Sequence, residues 1–289
     1  MKNLFKDSFN LIKYNSIFIQ PILLLFIVLT YSEDFVFKLR GSAIPYSTML
    51  ASLLLLCVAV SAGWFYINAL AVKGVDKKYE SNQERYQDVS QTFGKFFVGV
   101  GENFLKSLFV NILVLLLFVG CSYCLFRWGS HHVGSLRIVF DIINAVNANP
   151  DADVFKLAQE FYTPQNTIIL AFWTLSSFAL LSIISFIYVL YNAAMFLDKT
   201  NPFKALLDMI VFSFKNFFTL IFLFIVTILM NVAINIITTL SSINFILSIF
   251  GILLIFFYIN YYVFLIFLYY ERYSKKNNCD CGTKLDREV

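Results

Sequence analysis

Residues 201–242 read NPFKALLDMIVFSFKNFFTLIFLFIVTILMNVAINIITTLSS, and the fold follows from how that string divides. Asn201-Pro202 is an N-cap residue followed by proline at the first helical position, which predicts a helix start. Phe203, Leu206, Leu207, Ile210 and Phe214 then recur at helical spacing and give a short helix with one apolar face. After Lys215-Asn216 an apolar run from Phe217 to Ile237 leads to a tight turn expected at Thr238–Ser242, and a second run returns from Ile243. The unit is a short interfacial helix, a long helix out and a long helix back.

Working outward, two further parts of the chain fit the same template. With Asn216 as anchor, Asn15 and Asn103 take the equivalent place before a long apolar run. Ten residues upstream stand Leu206, Phe5 and Phe93, and six upstream Ile210, Phe9 and Phe97, pairs that share a helix face because residues four apart are neighbours. In the returning helices Tyr258-Ile259-Asn260 matches Tyr66-Ile67-Asn68, with Leu190-Tyr191-Asn192 in the third place. The pattern predicts three divergent hairpin repeats, about 1–75, 89–198 and 201–270, within a membrane domain 1–278, followed by a flexible tail 279–289.

Composition agrees with this architecture. The chain has 289 residues, 59% of them hydrophobic and only 14% charged, with a mean hydropathy of +0.74. That is too little polar surface to keep a core of this size in water. An all-α polytopic membrane protein is expected, with about six transmembrane helices near 16–32, 47–72, 104–127, 166–197, 216–238 and 243–270. The first run, with Pro21 early and Glu33-Asp34 at its end, reads as a retained span rather than a cleaved signal.

The cations are unevenly placed. Lys2, Lys6 and Lys13 precede the first span, Lys73, Lys77, Lys78, Arg85, Lys95 and Lys106 surround the second connection, and Lys199, Lys204 and Lys215 the fourth. Arg272, Lys275, Lys276, Lys284 and Arg287 lie in the tail, while the odd-numbered connections have few. By the positive-inside rule both termini are cytoplasmic. The richness in Phe, Ile, Asn and Lys suggests a bacterial source, which makes the membrane the inner one. The net charge of +4, spread in this way, gives no nucleic-acid signal. The expected partners are membrane lipids, with a protein partner or a second copy of the chain as alternatives.

Between the spans, residues 1–15 read as an amphipathic helix in the headgroup region, or as a tail docked on the bundle. Residues 73–100, with Lys77, Lys78, Glu80, Glu84, Arg85 and Asp88, read as a solvated mixed-charge extension in which Glu80 and Arg85 are too far apart for an ideal pair. The insertion 128–165 is expected outside the cell as a lid of two amphipathic helices. One runs through Leu136, Val139, Phe140 and Ile143; the other, after Asn149-Pro150-Asp151, through Val154, Phe155, Leu157, Ala158 and Phe161.

Candidate chemistry is sparse. His131-His132 are the only histidines, and a zinc site needs three or four converging ligands. Among the five cysteines, Cys57 reads as packing, and Cys121 and Cys124 share one face of a span. Cys279 and Cys281 could supply half of a tetrahedral metal site, though two reduced thiols on a free tail are the simpler reading. No metal or other cofactor is expected. The polar residues within the spans are Asn68, Asn111, Asn192, Asn231, Asn235 and Asn260, without an ionisable residue near mid-span, which disfavours a proton relay or ion pathway. Asparagines of this kind fix helix packing. The competing reading is an uncharged binding site where Asn68, Asn192 and Asn260 meet, with Asn231 and Asn235 one turn apart on a shared face. Phosphate-loop, GxSxG, HExxH and dinucleotide motifs are missing, so no enzyme is expected.

With Phe5/Phe9, Phe93/Phe97 and the three Asn-bearing return helices, the layout resembles a group of uncharacterised bacterial six-helix inner-membrane proteins. It is similar to the membrane domain that precedes the soluble barrel of some bacterial glycerophosphodiester phosphodiesterases. The resemblance covers most of the chain but rests on hydropathy and aromatic spacing. No phosphodiesterase barrel is present and no catalytic residue carries over. It implies a membrane-embedded accessory role, a scaffold holding lipid or a partner protein. The alternative is a transporter of a small uncharged or lipid-like solute.

Overall fold

The computed structural model describes residues 2–39, 42–135, 137, 144, 163–241 and 244–285, from 275 onward by backbone alone. The two helices expected across 136–161 lie outside the described residues, as do the side chains of Cys279 and Cys281. The elements are α1 (Lys2–Tyr14), a 3-10 turn (Ser16–Ile19), α2 (Gln20–Leu39), α3 (Ala43–Lys73), α4 (Asn82–Gly94) and α5 (Phe96–His132). After the undescribed segment come α6 (Pro164–Leu197), α7 (Pro202–Lys215), α8 (Phe217–Ser241) and α9 (Phe245–Leu285). Every regular element among the described residues is helical.

Five helices are long and apolar enough to cross a bilayer: α3, α5, α6, α8 and the Ile246–Ser274 part of α9. The sixth expected span, near 16–32, reaches that standard only when α1 is joined to the helical stretch after it, across a bend of 81°. Pro21 and the Glu33-Asp34 pair account for the difference, since they shorten the uninterrupted apolar stretch of α2. The chain is a multi-pass, all-helical membrane protein. The turn expected at Thr238–Ser242 begins later, because α8 continues through Ser241. The Thr238 and Thr239 hydroxyls donate to the Asn235 carbonyl, and the Ser241 hydroxyl donates to that of Thr238. Hydroxyls bonded back along the helix in this way are compatible with helix rather than turn.

The chain divides into two compact units, Met1–Asn111 with Tyr188–Val289, and Ile112–Ile187. In the first unit α9 is central and packs against α1, the 3-10 turn, α3 and α8. Its residues Val263 to Tyr270 are buried on every side, which the all-apolar sequence of that stretch permits. Val189–Leu197 of α6 are buried in the same continuous way. On α3, Phe65 joins α3 to α6 and α9: its ring meets Tyr188 and Phe196 of α6 at 5.5 and 6.1 Å and stacks on Phe267 of α9 at 5.8 Å. Phe18 of the 3-10 turn closes this core against Phe264, and its carbonyl accepts the Trp64 indole N–H at 3.0 Å.

Part of the apolar surface of α1, α7 and the start of α5 points away from the protein, while Leu11 and Ile12 of α1 and Phe212 of α7 are buried. Phe97 is 81% exposed and Phe214 79%, and Phe9, Phe203, Leu207 and Ile210 are exposed as well. The inward positions lie one residue earlier, Leu4 and Ser8 on α1, Ala205 and Met209 on α7. In hydrocarbon the large apolar side chains gain nothing by turning inward, whereas small residues let helices approach. Gly63 and Gly99 do this between α3 and the start of α5. A Cβ on Gly63 would lie 2.9 Å from the Phe96 carbonyl, and one on Gly99 2.7 Å from Tyr66.

The second unit is the paired stretch of α5 and α6. Gly129 lies under Trp173 and Phe172, whose rings leave no room for a Cβ. The Trp173 indole N–H donates to the Gly134 carbonyl at 3.1 Å. Gly134 itself sits at φ 147°, a conformation that favours glycine.

Candidate functional site

The structure buries Asn68, Asn192 and Asn260 completely or nearly so. They belong to the buried parts of α3, α6 and α9, the helices grouped around Phe65. The Asn68 amide donates to the Trp64 carbonyl and that of Asn192 to the Tyr188 carbonyl, both at 2.8 Å. These bonds run within one helix. Asn68 Oδ1 and both polar atoms of Asn260 have no hydrogen-bond partner. Nearby, the Tyr188 hydroxyl donates to Asn111 Oδ1 at 3.2 Å.

Asn231 and Asn235 do not join this group. Asn235 donates to the Asn231 carbonyl and side-chain oxygen, both at 2.9 Å, and is itself exposed. His131 and His132 meet ring to ring at 4.6 Å. Cys57 and Cys121 are half-buried and Cys124 exposed, all as free thiols. Among the described residues no three of His, Cys, Asp or Glu converge as a metal set would. The anchors Asn15, Asn103 and Asn216 share one geometry, each donating to the carbonyl four residues back. Asn15 and Asn216 stand at helix junctions, but Asn103 lies inside α5, whose junction with α4 is at Lys95.

A polar pocket of about 300 Å³ lies between α1, the end of α3, and α4. Its construction starts at Gly74, whose N–H closes α3 on the Leu70 and Ala71 carbonyls. Ser81 N-caps α4: its hydroxyl accepts the Glu84 N–H, and the Glu84 carboxylate accepts the Glu80 N–H, a close variant of the capping box. Asp88 draws the connection back, accepting from Lys77 at 2.7 Å and from the Tyr79 hydroxyl at 2.8 Å. The Lys77 bond holds the Asp88 carboxyl below its ordinary range, against the opposing effect of burial. Burial first, then the bond to Asp88, pushes the Tyr79 phenol up to about 12. The Arg85 guanidinium lies over the rings of Tyr14 at 3.7 Å and Tyr79 at 4.9 Å. Asp7, also in the wall, is paired with Arg272 of α9 at 2.7 Å.

An apolar groove of about 420 Å³ reaches the C-terminal end of α4. Pro21, Leu24 and Val28 of α2, Val60 of α3, and Phe93 and Phe97 form most of its walls. Helix α4 contributes to both spaces. Val89 and Thr92 face the pocket; Phe93 and Gly94 face the groove. A second polar pocket, about 330 Å³, lies between the end of α6, α7 and α9. There Asp198 accepts from the Tyr270 hydroxyl at 2.7 Å, and burial raises its carboxyl above the ordinary range.

The residues around α4 are the ones that the sequence reading passed over. Segment 73–100 has the composition of a solvated face, and Asp88, the carboxylate at helical spacing from Arg85, pairs with Lys77 instead. The partners of Arg85 are two tyrosines, one of them seventy-one positions away. The legible signal was Ser81-x-x-Glu84, which marks the start of a real helix. Compared with known protein families, characterised proteins and solved structures, the chain matches none of them.

Proposed function

We propose that the protein is a non-enzymatic membrane scaffold or accessory protein that holds one lipid molecule against α4. The carrying observation is that a polar pocket and an apolar groove share α4 as part of their walls, the two surfaces an amphiphile needs. In this reading α1, α4 and α7 lie in the cytoplasmic interface and the bent α1–α2 segment supplies a sixth span. Both termini face the cytoplasm, and the membrane is the inner one. The outward Phe9 on α1 and Phe214 on α7 support the interfacial placement of those two helices.

Native mass spectrometry of the full chain in mild detergent tests the proposal. A stoichiometric lipid adduct is expected on the wild type and is lost on Val60→Trp, which fills the groove. A bare wild-type chain overturns the reading.

The unpartnered Asn260 amide supports a second reading, passage of a small uncharged solute along Asn68, Asn192 and Asn260. Flux into proteoliposomes that disappears when all three become Leu, with the thermal midpoint preserved, would select it.

A further inference from the structure

The lipid-holding proposal leaves the headgroup unassigned. We infer that the pocket beside α4 is a phosphate receptor with the Arg85 guanidinium as its anion-binding group; as a lipid site it rests on that proposal. The guanidinium carbon lies over the rings of both Tyr14 and Tyr79, at 3.7 and 4.9 Å. Stacking of this kind leaves the N–H groups around the rim of the plane as the available donors. Among the described residues no carboxylate forms an ion pair with them, the ion pairs present being Lys77–Asp88 and Arg272–Asp7.

Those two pairs decide the sign of the pocket. Asp88 and Asp7 both line it, and unpaired they would repel an anion. Each has its own cation at 2.7 Å, so the charge of Arg85 is the one left over. Glu84, beside Arg85 in sequence, turns its carboxylate to the Glu80 N–H at the start of the helix. Asn10 and Thr92 add neutral polar groups to the wall.

A quaternary ammonium group does not suit this site. The tyrosine faces that would receive it are covered by Arg85, and the carboxylates that would balance it are held by Lys77 and Arg272. A planar fork with two or more in-plane donors suits the oxygens of a phosphate ester. The apolar groove that shares α4 with the pocket makes the ester of a diacyl lipid the natural source; a free phosphate ester has the same chemistry.

The test uses the full chain in mild detergent with three probes: phosphatidylglycerol, a diacylglycerol of the same acyl chains, and glycerol 3-phosphate. Retention is read by native mass spectrometry for wild type, Arg85→Gln and Lys77→Gln. The wild type is expected to retain phosphatidylglycerol at about tenfold lower concentration than diacylglycerol, the scale of one charge-assisted hydrogen bond. Arg85→Gln removes that preference. Lys77→Gln reduces it by leaving Asp88 uncompensated, and serves if Arg85→Gln does not fold.

Equal retention of both lipids, insensitive to either variant, overturns the phosphate assignment while leaving lipid holding intact. Arg85-dependent retention of glycerol 3-phosphate without either lipid keeps the phosphate receptor and overturns lipid holding. Retention of none of the probes overturns both.

Discussion

Replacing Asn260 with leucine is expected to stabilise the protein. Asn260 is fully buried, and neither its amide nitrogen nor its oxygen has a partner. An unmet buried polar group costs about 1–3 kcal/mol. Part of that cost is also present in a membrane-embedded unfolded state, where helices persist and interhelical polar bonds average only about 0.6 kcal/mol. Leucine adds branching that the surrounding core must absorb, which works against the gain. The expected net gain is about 1–2 kcal/mol. For a chain of this size that is about 2–3 °C in thermal midpoint. Thermal unfolding in mild detergent reads it, with Asn260→Ala as a smaller replacement that cannot overpack. Asn68→Leu provides the comparison, because the Asn68 amide bonds to Trp64 and its oxygen alone is unmet; a smaller gain is expected there. Losses of more than about 2 kcal/mol in both Asn260 variants would refute the argument. They would mean that Asn260 is paired by water or solute in the bilayer, and would shift weight to the transport reading.

Gly63→Ala should destabilise by about 1–3 kcal/mol, since its Cβ meets the Phe96 carbonyl, a backbone atom that cannot rotate aside. Gly101→Ala, where a Cβ meets nothing within 4 Å, should gain about 0.5–1 kcal/mol from helix propensity; thermal midpoints of the two variants settle the contrast. The lowered Asp88 carboxyl implies stability that is present above the ordinary carboxylate range, about pH 3.9, and lost as pH falls through its lowered value. Asp88→Asn should therefore flatten the acid limb of a midpoint-versus-pH curve. The effect should be less than about 1 kcal/mol, because Lys77 is half exposed. A double-mutant cycle on Asp7 and Arg272 should return a coupling of about 0.5–1 kcal/mol that shrinks with salt. A coupling of zero would remove the ionic tie between α1 and α9.

The sequence by itself determined the membrane class, the helical content and several local boundaries. Asn201 caps α7 as its type and the following proline require, its side chain accepting the Lys204 N–H at 2.8 Å. Such features depend on composition and on residues three or four apart, and a single sequence records both. It also pointed to Asn68, Asn192 and Asn260, because a polar residue in a long apolar run is conspicuous. The sequence could not say which way an apolar helix face points. In water that face must turn inward; in a bilayer lipid solvates it equally well, so Phe9, Phe97 and Ile210 face out while smaller neighbours pack. Tertiary structure alone assembled the pocket at α4. Its guanidinium, tyrosines and paired carboxylates come from α1, the α3–α4 connection, α4 and α9, and their roles depend on ring-to-cation and ion-pair distances that no spacing along the chain encodes.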